Sequence, residues 1–175
     1  MRARFLLPLL VVLTGVLAPL PATAQPAAPV RPQEALAQWG PPMGGQLVVT
    51  GPFRPPPASF AAGHRGVDLG GIPWSTVLAA GDGVVVFAGM VAGRPVISID
   101  HAGGLRTTYE PVTPSVAAGQ RVIRGSPIGT LSVGHAGCPR QACLHWGLRR
   151  GATYLDPMAL LEVPRVRLLP LVSGG

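Results

Sequence analysis

The stretch GVVVFAGMVAGRPVISID, residues 83–100, decides the fold class of this 175-residue chain. It holds two runs rich in β-branched residues, GVVVFAGMV and RPVISID, divided by Ala92 and Gly93. Valine and isoleucine favour strands because their branched side chains pack well on a pleated surface. A glycine-containing break between two such runs is typical of successive short strands.

Similar runs recur from residue 46 onward. The others are QLVVT, LRTTY, QRVI, PIGTL and CLHWGLR. Short runs spaced about every 8–12 residues between turn signals indicate an all-β sandwich or barrel. Only DPMALL predicts a helix, with Asp156 as the N-cap and Pro157 at the first helical position. We therefore expect an all-β domain with one short C-terminal helix.

The N-terminus has the pattern of a secretory signal peptide. Arg2 and Arg4 precede an apolar run, Phe5–Leu20, and the small residues Ala22 and Ala24 follow. The run is about 16 residues and two prolines interrupt it, which disfavours a membrane anchor. We expect cleavage after Ala24, a protein secreted to the cell envelope, and no stable membrane span once the signal peptide is removed.

The remaining chain divides by composition. Residues 25–45 are rich in proline, alanine and glycine and predict a linker or an ordered arm, with a short helix over Gln33–Trp39 as the alternative. The domain spans 46–163, and residues 164–175 form a tail without a motif.

The charge of +7 comes from arginine alone, because the chain contains no lysine. Without Arg2 and Arg4, 12 arginines face 7 acidic residues, which leaves +5. The arginines are scattered and form no basic stripe with interleaved aromatic residues, so nucleic acid is not an expected partner. A basic exported protein fits an anionic cell envelope better.

The candidate chemistry lies in two distant motifs. HRGVDL places His64 and Asp68 four residues apart, on one face of an extended segment. In QACLHWGLRR, a strand would direct Cys143 and His145 to one face. Two imidazoles and a carboxylate suit Zn²⁺ and leave a fourth position open, as in catalytic zinc sites. The alternative is that these residues are incidental.

Cys143 has three interpretations. It is half of a disulfide with Cys138, a fourth zinc ligand that closes the site, or a small buried thiol. Export favours the disulfide, because paired cysteines in secreted chains are usually oxidised.

Taken in order, five segments resemble the lysostaphin/LytM-type zinc metalloendopeptidases. They are GHRGVDL, AAGDGVVVFAG, ISIDHAGGLRTTYEPV, VAAGQRVIRGSPIGTL and CLHWGLR, and the resemblance spans about residues 46 to 161. It implies a two-sheet antiparallel β-sandwich, the duplicated hybrid motif, with an open groove. It also implies zinc held by His64, Asp68 and His145, and cleavage of peptide cross-links in bacterial peptidoglycan.

Two positions depart from the family pattern. The first histidine of the HxH motif is Cys143 here, and the histidine that follows TxY-x is Pro111. The resemblance implies that histidines at these positions act as base and transition-state stabiliser. Proline has no side-chain donor or acceptor, and a cysteine is a weak hydrogen-bond partner. The catalytic residues of this chain are therefore left unassigned.

Other groups near these motifs have structural interpretations. We expect His135 to be an exposed turn residue, with a reach into the groove as the alternative, and His101 to be structural. Glu110 could serve as a carboxylate base, but alternation along the strand from Tyr109 should point it away from the catalytic face. Five residues are candidates for the groove with core or rim packing as the equal alternative: Phe53, Arg65, Trp74, Tyr109 and Trp146.

Two functions from different classes follow. The first is a secreted zinc metalloendopeptidase acting on peptidoglycan stem or cross-link peptides with altered catalysis. The second is a non-catalytic wall-binding module or a regulator of a cell-wall hydrolase, which the changes at Pro111 and Cys143 favour. A third possibility is a secreted β-sandwich in which the matching motifs are only scaffold and bind no metal.

Overall fold

The β-branched runs form the central strands of the domain. The computed structural model describes residues 38–58 and 61–162. The expected signal peptide, most of the arm and nearly all of the tail lie outside these residues and stay predictions. Of the alternative helix Gln33–Trp39, only Gln38 and Trp39 are described, and Trp39 forms a single β-bridge with Gly81.

Within the described ranges, eleven strands build two sheets, and every pair of neighbouring strands is antiparallel. The strands are β1 Val48–Gly51, β2 Gly66–Gly71, β3 Thr76–Leu78, β4 Gly83–Val91, β5 Arg94–Asp100, β6 Leu105–Glu110, β7 Val112–Pro114, β8 Arg121–Val122, β9 Pro127–Leu131, β10 Ala142–Arg150 and β11 Thr153–Leu155. This confirms the prediction of a two-sheet antiparallel β-fold.

Strand β10 lies at the centre of the large sheet. The order there is β1-β2-β10-β6-β5-β4-β8, and β11 also pairs with β10, whereas the small sheet has the order β3-β9-β7. One face of β10 is apolar: Leu144 and Trp146 are fully buried. The opposite face carries Cys143 and His145, because side chains alternate along a strand.

The core fills the space between the two sheets. Tyr109 of β6 and Trp146 of β10 are its largest fully buried side chains and stand opposite each other in the sheet. The Tyr109 hydroxyl accepts a hydrogen bond from the Ala80 backbone N–H at 2.9 Å, so the polar end of this ring is satisfied. Both residues were groove candidates, and both belong to the core.

The segment predicted as a C-terminal helix forms one 3₁₀ turn, Pro157–Leu160. Asp156 caps it as expected, since its carboxylate accepts a hydrogen bond from the Met158 backbone N–H at 2.9 Å. Among the described residues, no helix is long and apolar enough to cross a membrane.

His101 is a buried structural residue, as expected. Its Nδ1 lies 2.8 Å from the Asp82 carbonyl oxygen and its Nε2 lies 2.7 Å from the Thr107 hydroxyl. Burial lowers the pKa of His101 below its usual 6.5, although the Asp82 carbonyl and the charges of Asp100 and Asp82 partly oppose this.

We predict that His101 makes the fold sensitive to acid. Because its pKa is lower in the folded state, protonation favours unfolding, and stability present above pH 6.5 is lost as the pH falls below that value. Thermal unfolding between pH 7 and pH 5, with a chelator present, should show a smaller loss for His101→Gln than for the unchanged chain. Equal losses would contradict the prediction.

Candidate metal centre

The pairing of β2 with β10 brings two of the three predicted ligands together. Asp68 and His145 are direct cross-strand partners in the antiparallel register. Directly opposed residues share a face of the sheet and have neighbouring Cβ atoms. Both side chains therefore lie on the face of β10 that is turned away from Trp146.

His64 joins them from the segment that leads into β2. Its backbone N–H donates to the Arg54 carbonyl at 2.8 Å, and its own carbonyl accepts from the Arg54 N–H at 3.1 Å. This single β-bridge holds the segment extended before the strand begins at Gly66. The even spacing of four residues then places His64 on the side of Asp68, as the sequence predicts.

The three side chains form a close triangle. His64 Nε2 lies 3.0 Å from Asp68 Oδ1, His145 Nδ1 lies 2.9 Å from the same oxygen, and the two nitrogens are 3.1 Å apart. Four zinc ligands at about 2.0–2.1 Å in a tetrahedron would be separated by roughly 3.3 Å. The observed separations come close to this.

The three facing atoms, His64 Nε2, His145 Nδ1 and Asp68 Oδ1, carry too few protons to satisfy one another by hydrogen bonding. His64 Nδ1 lies 2.7 Å from the Pro52 carbonyl oxygen, which can only accept, so Nδ1 carries the proton in the neutral ring. Nε2 of His64 therefore directs a lone pair toward the Asp68 carboxylate. A divalent cation resolves this arrangement, and the carbonyl behind His64 orients it as such partners do for metal-binding histidines. The residues present therefore fit Zn²⁺.

Asp68 is ionised in this environment. Burial of its carboxyl group opposes ionisation, but hydrogen bonding by His145 and the nearby His135 and His64 outweigh burial and lower the pKa of Asp68 to about 2. The carboxylate is therefore available as a ligand over the whole physiological pH range.

Gly66 leaves room for the His145 ring. A Cβ at this position would lie 2.8 Å from His145 Nε2 and would collide with the Trp146 carbonyl oxygen. Because a backbone oxygen cannot move aside cheaply, the contact between β2 and β10 beside the centre requires glycine here.

The family model "Peptidase family M23" matches residues 62–157, more than half of the chain, and covers His64, Asp68 and His145. The chain belongs to peptidase family M23. Members of this family are zinc metallopeptidases. The uncharacterized protein Rv2891 of Mycobacterium tuberculosis is 51% identical over 138 residues, which cover 71% of this chain and 55% of the relative. The chain thus spans about half the length of the curated relatives that it matches.

Two solved structures share this M23 fold. The catalytic domain of the antimicrobial peptidase lysostaphin from Staphylococcus simulans has a TM-score of 0.54 and 22% identity, over 75% of this chain and 97% of its own. The SpoIIQ-SpoIIIAH pore forming complex has a TM-score of 0.61 and 22% identity, over 73% of this chain and 93% of the other. At these identities the likeness concerns the fold.

Cys143, at the departure from the M23 HxH pattern, forms a disulfide with Cys138. Its sulfur is therefore neither a thiolate ligand nor a free thiol in this structure. The disulfide lies two residues before His145, at the rim of the candidate centre. The other departure, Pro111, is buried, and its backbone carbonyl accepts a hydrogen bond from the Ser132 N–H at 2.9 Å.

The expectation that His135 is an exposed turn residue is wrong. Its side chain is only 14% exposed, and Nε2 lies 3.2 Å from Asp68 Oδ1. Its ring also stacks on that of His145, with 6.0 Å between centroids. The loop between β9 and β10 carries His135 to the centre, and the Cys138–Cys143 disulfide ties the end of this loop to β10. A glycine-rich loop carries no periodicity that would have placed this residue, and the two cysteines were the one available signal.

The expectation for Glu110 is also wrong. It is the cross-strand partner of His145 and lies on the same face, because Tyr109 is the residue that β6 turns into the core. Its carboxylate forms an ion pair with Arg94, with Nε and Oε1 2.7 Å apart.

A groove of about 210 Å³ runs beside the centre. Its lining includes Arg65, Glu110, His145 and Tyr154. The Arg65 guanidinium lies 5.4 Å from the centroid of the Tyr154 ring. Of the five residues that the sequence offered as groove candidates, only Arg65 lines this groove. Phe53 packs on the core. Trp74 is 69% exposed.

We predict that Gly66→Ala disturbs both the fold and the centre. The overpacked contact should lower the free energy of unfolding by about 1–3 kcal/mol and weaken zinc binding, because β2 must shift away from β10. Thermal unfolding and chelator competition measure the two effects. Gly44→Ala is the matched control, since a Cβ there meets no atom within 4 Å. Wild-type values for Gly66→Ala would contradict the steric role.

We predict that the disulfide stabilises the fold by about 2 kcal/mol through its six-residue loop, on the chain-entropy account. Intact mass after alkylation should be unchanged without reductant and should show two added groups after reduction. Alkylation without reductant would show that the pair is not bridged.

Proposed function

We propose that this chain is a secreted M23-type zinc metalloendopeptidase-like protein that acts on peptide cross-links of bacterial peptidoglycan. The observation that carries the proposal is the His64–Asp68–His145 triangle, in which the Nε2 lone pair of His64 faces the ionised carboxylate of Asp68 and His145 Nδ1 lies close to both. Such a set holds Zn²⁺ through three protein ligands and leaves one side for substrate.

When bound, Zn²⁺ would polarise a peptide carbonyl and activate a water molecule. The chain's own groups fix the ligands. The Pro52 carbonyl orients His64, and the register between β2 and β10 holds Asp68 opposite His145. The groove beside His145 offers Glu110 and Arg65 to a peptide that extends from the centre.

Two features of the chain support export. A signal-like N-terminus precedes the domain, and the disulfide Cys138–Cys143 requires an oxidising compartment in which to persist. Peptidoglycan lies in such a compartment, and the basic charge of the chain complements an anionic envelope.

A second candidate is a non-catalytic wall-binding module or a regulator of another hydrolase. It is favoured by Pro111 and Cys143, since neither side chain offers the hydrogen bonding that the resemblance implies at these positions. The likeness to the SpoIIQ-SpoIIIAH pore forming complex adds that this fold is found in assemblies with another protein.

We predict near one equivalent of zinc in the purified exported protein, with release of peptide fragments from purified cell walls. Chelation should abolish release, and added zinc should restore it. His145→Ala should lose both metal and release, measured by elemental analysis and chromatography of the released fragments. Val133→Ala is the control, because that side chain is exposed in a neighbouring loop.

The possible results separate the functions. Zinc without release would support the wall-binding or regulatory role. A protein that retains no zinc near neutral pH would contradict the metal assignment and with it the peptidase proposal.

A further inference from the structure

We propose that His135 is a catalytic residue of this centre and hydrogen-bonds the reacting oxygen of the substrate or of the attacking water. From its loop, His135 would supply the imidazole hydrogen bond that the M23 pattern implies for histidines at positions 111 and 143. The inference rests on the proposed peptidase function, which it completes.

The position of His135 singles it out. Its Nε2 lies 3.2 Å from Asp68 Oδ1, the oxygen that also faces His64 and His145. The other carboxylate oxygen, Oδ2, faces Gly51, where a Cβ would lie only 2.5 Å away. His135 therefore approaches Asp68 from the side on which the three ligand atoms converge.

His135 stands beside the ligand set and is not a member of it. The donor atoms of His64, Asp68 and His145 all lie within 4.8 Å of one another, and His135 does not belong to that group. Its ring is nearly parallel to that of His145, with 20° between the planes. This placement suits a residue that contacts an oxygen at the open position and leaves the metal to the other three.

His135 also has unused hydrogen-bonding capacity. Its Nδ1 is buried and has no hydrogen-bond partner within the described part of the chain. Buried polar atoms in folded proteins are almost always paired, and a catalytic role or a bound water or ion is among the explanations for an exception. A role in core packing alone does not explain why His135 places Nε2 at the Asp68 carboxylate and leaves Nδ1 without a hydrogen bond.

The loop that carries His135 is tied at both ends. Ser132 donates its N–H to the Pro111 carbonyl, and its hydroxyl lies 2.8 Å from the Thr113 hydroxyl. At the other end, the Cys138 N–H donates to the His135 carbonyl at 3.3 Å, and the Cys138–Cys143 disulfide fixes the loop to β10. Both departures from the M23 pattern, Pro111 and Cys143, are thus anchor points of the loop that delivers the new histidine.

The first experiment compares His135→Ala and His135→Gln with the unchanged protein and with Val133→Ala as the loop control. His64→Ala provides the reference for loss of a ligand. The readouts are zinc content, the Kd for acetohydroxamate by calorimetry and the rate of peptide release from purified walls. Circular dichroism and thermal unfolding verify that each variant is folded.

We expect His135→Ala to keep about one equivalent of zinc and to lose release by about 10²–10³-fold, as for removal of a preorganised hydrogen-bond donor. Acetohydroxamate should bind roughly tenfold more weakly, because its oxygen loses a hydrogen bond in a polar site. His135→Gln should recover part of that affinity, since an amide can still form the hydrogen bond.

Three results would overturn the inference. Unchanged affinity and release in His135→Ala would leave the residue without a role. Zinc loss equal to that of His64→Ala would make it a ligand. In both cases the peptidase function would still stand. Zinc without release in the unchanged protein would overturn the peptidase function and the catalytic role together.

A second arm tests the anchor. Cys138→Ala combined with Cys143→Ala should weaken acetohydroxamate binding to about the level of His135→Ala, with little further loss when all three are combined. Such non-additivity identifies residues that act through one another. Fully additive losses would show that the disulfide does not act by holding His135.

Discussion

The centre depends on the antiparallel register of β2 with β10, which sets Asp68 directly opposite His145. A shift of one residue would turn Asp68 toward the core and bring Val67 to the groove, because successive side chains point to opposite faces. The buried row Val67, Leu69, Leu144 and Trp146 resists such a shift. Hydrophobic packing on one face of β10 thereby fixes the polar geometry on the other.

His64 completes the set of side chains that could hold a metal ion. Its contact with the Pro52 carbonyl commits one ring nitrogen as a donor and directs the lone pair of the other at an ionised carboxylate. Within the protein alone this arrangement is unfavourable, whereas a bound cation satisfies all three ligand atoms. The backbone bridge to Arg54 supports this geometry, since it aligns the segment before β2.

The loss of two family histidines weakens the case for catalysis less than the sequence suggests. Cys143 anchors a loop through its disulfide, and that loop brings His135 to Asp68 from another direction. The carbonyl of Pro111 accepts a hydrogen bond from the Ser132 N–H at the start of the same loop. Pro111, Cys143 and His135 therefore belong to one connected structural unit.

The amino-acid sequence by itself indicated the all-β class, the strands β1, β4, β5, β6, β8, β9 and β10, and the candidate ligands His64, Asp68 and His145. Alternation, β-branching and turn residues are local signals that can be read along the chain. The order of the motifs, which points to the three candidate ligands, is likewise visible in the sequence. Strands β3, β7 and β11 have three residues each and no pattern long enough to detect. The tertiary structure alone decided where His135 and Glu110 lie, because the contact of His135 with Asp68 and the pairing of β6 with β10 join segments far apart in the chain.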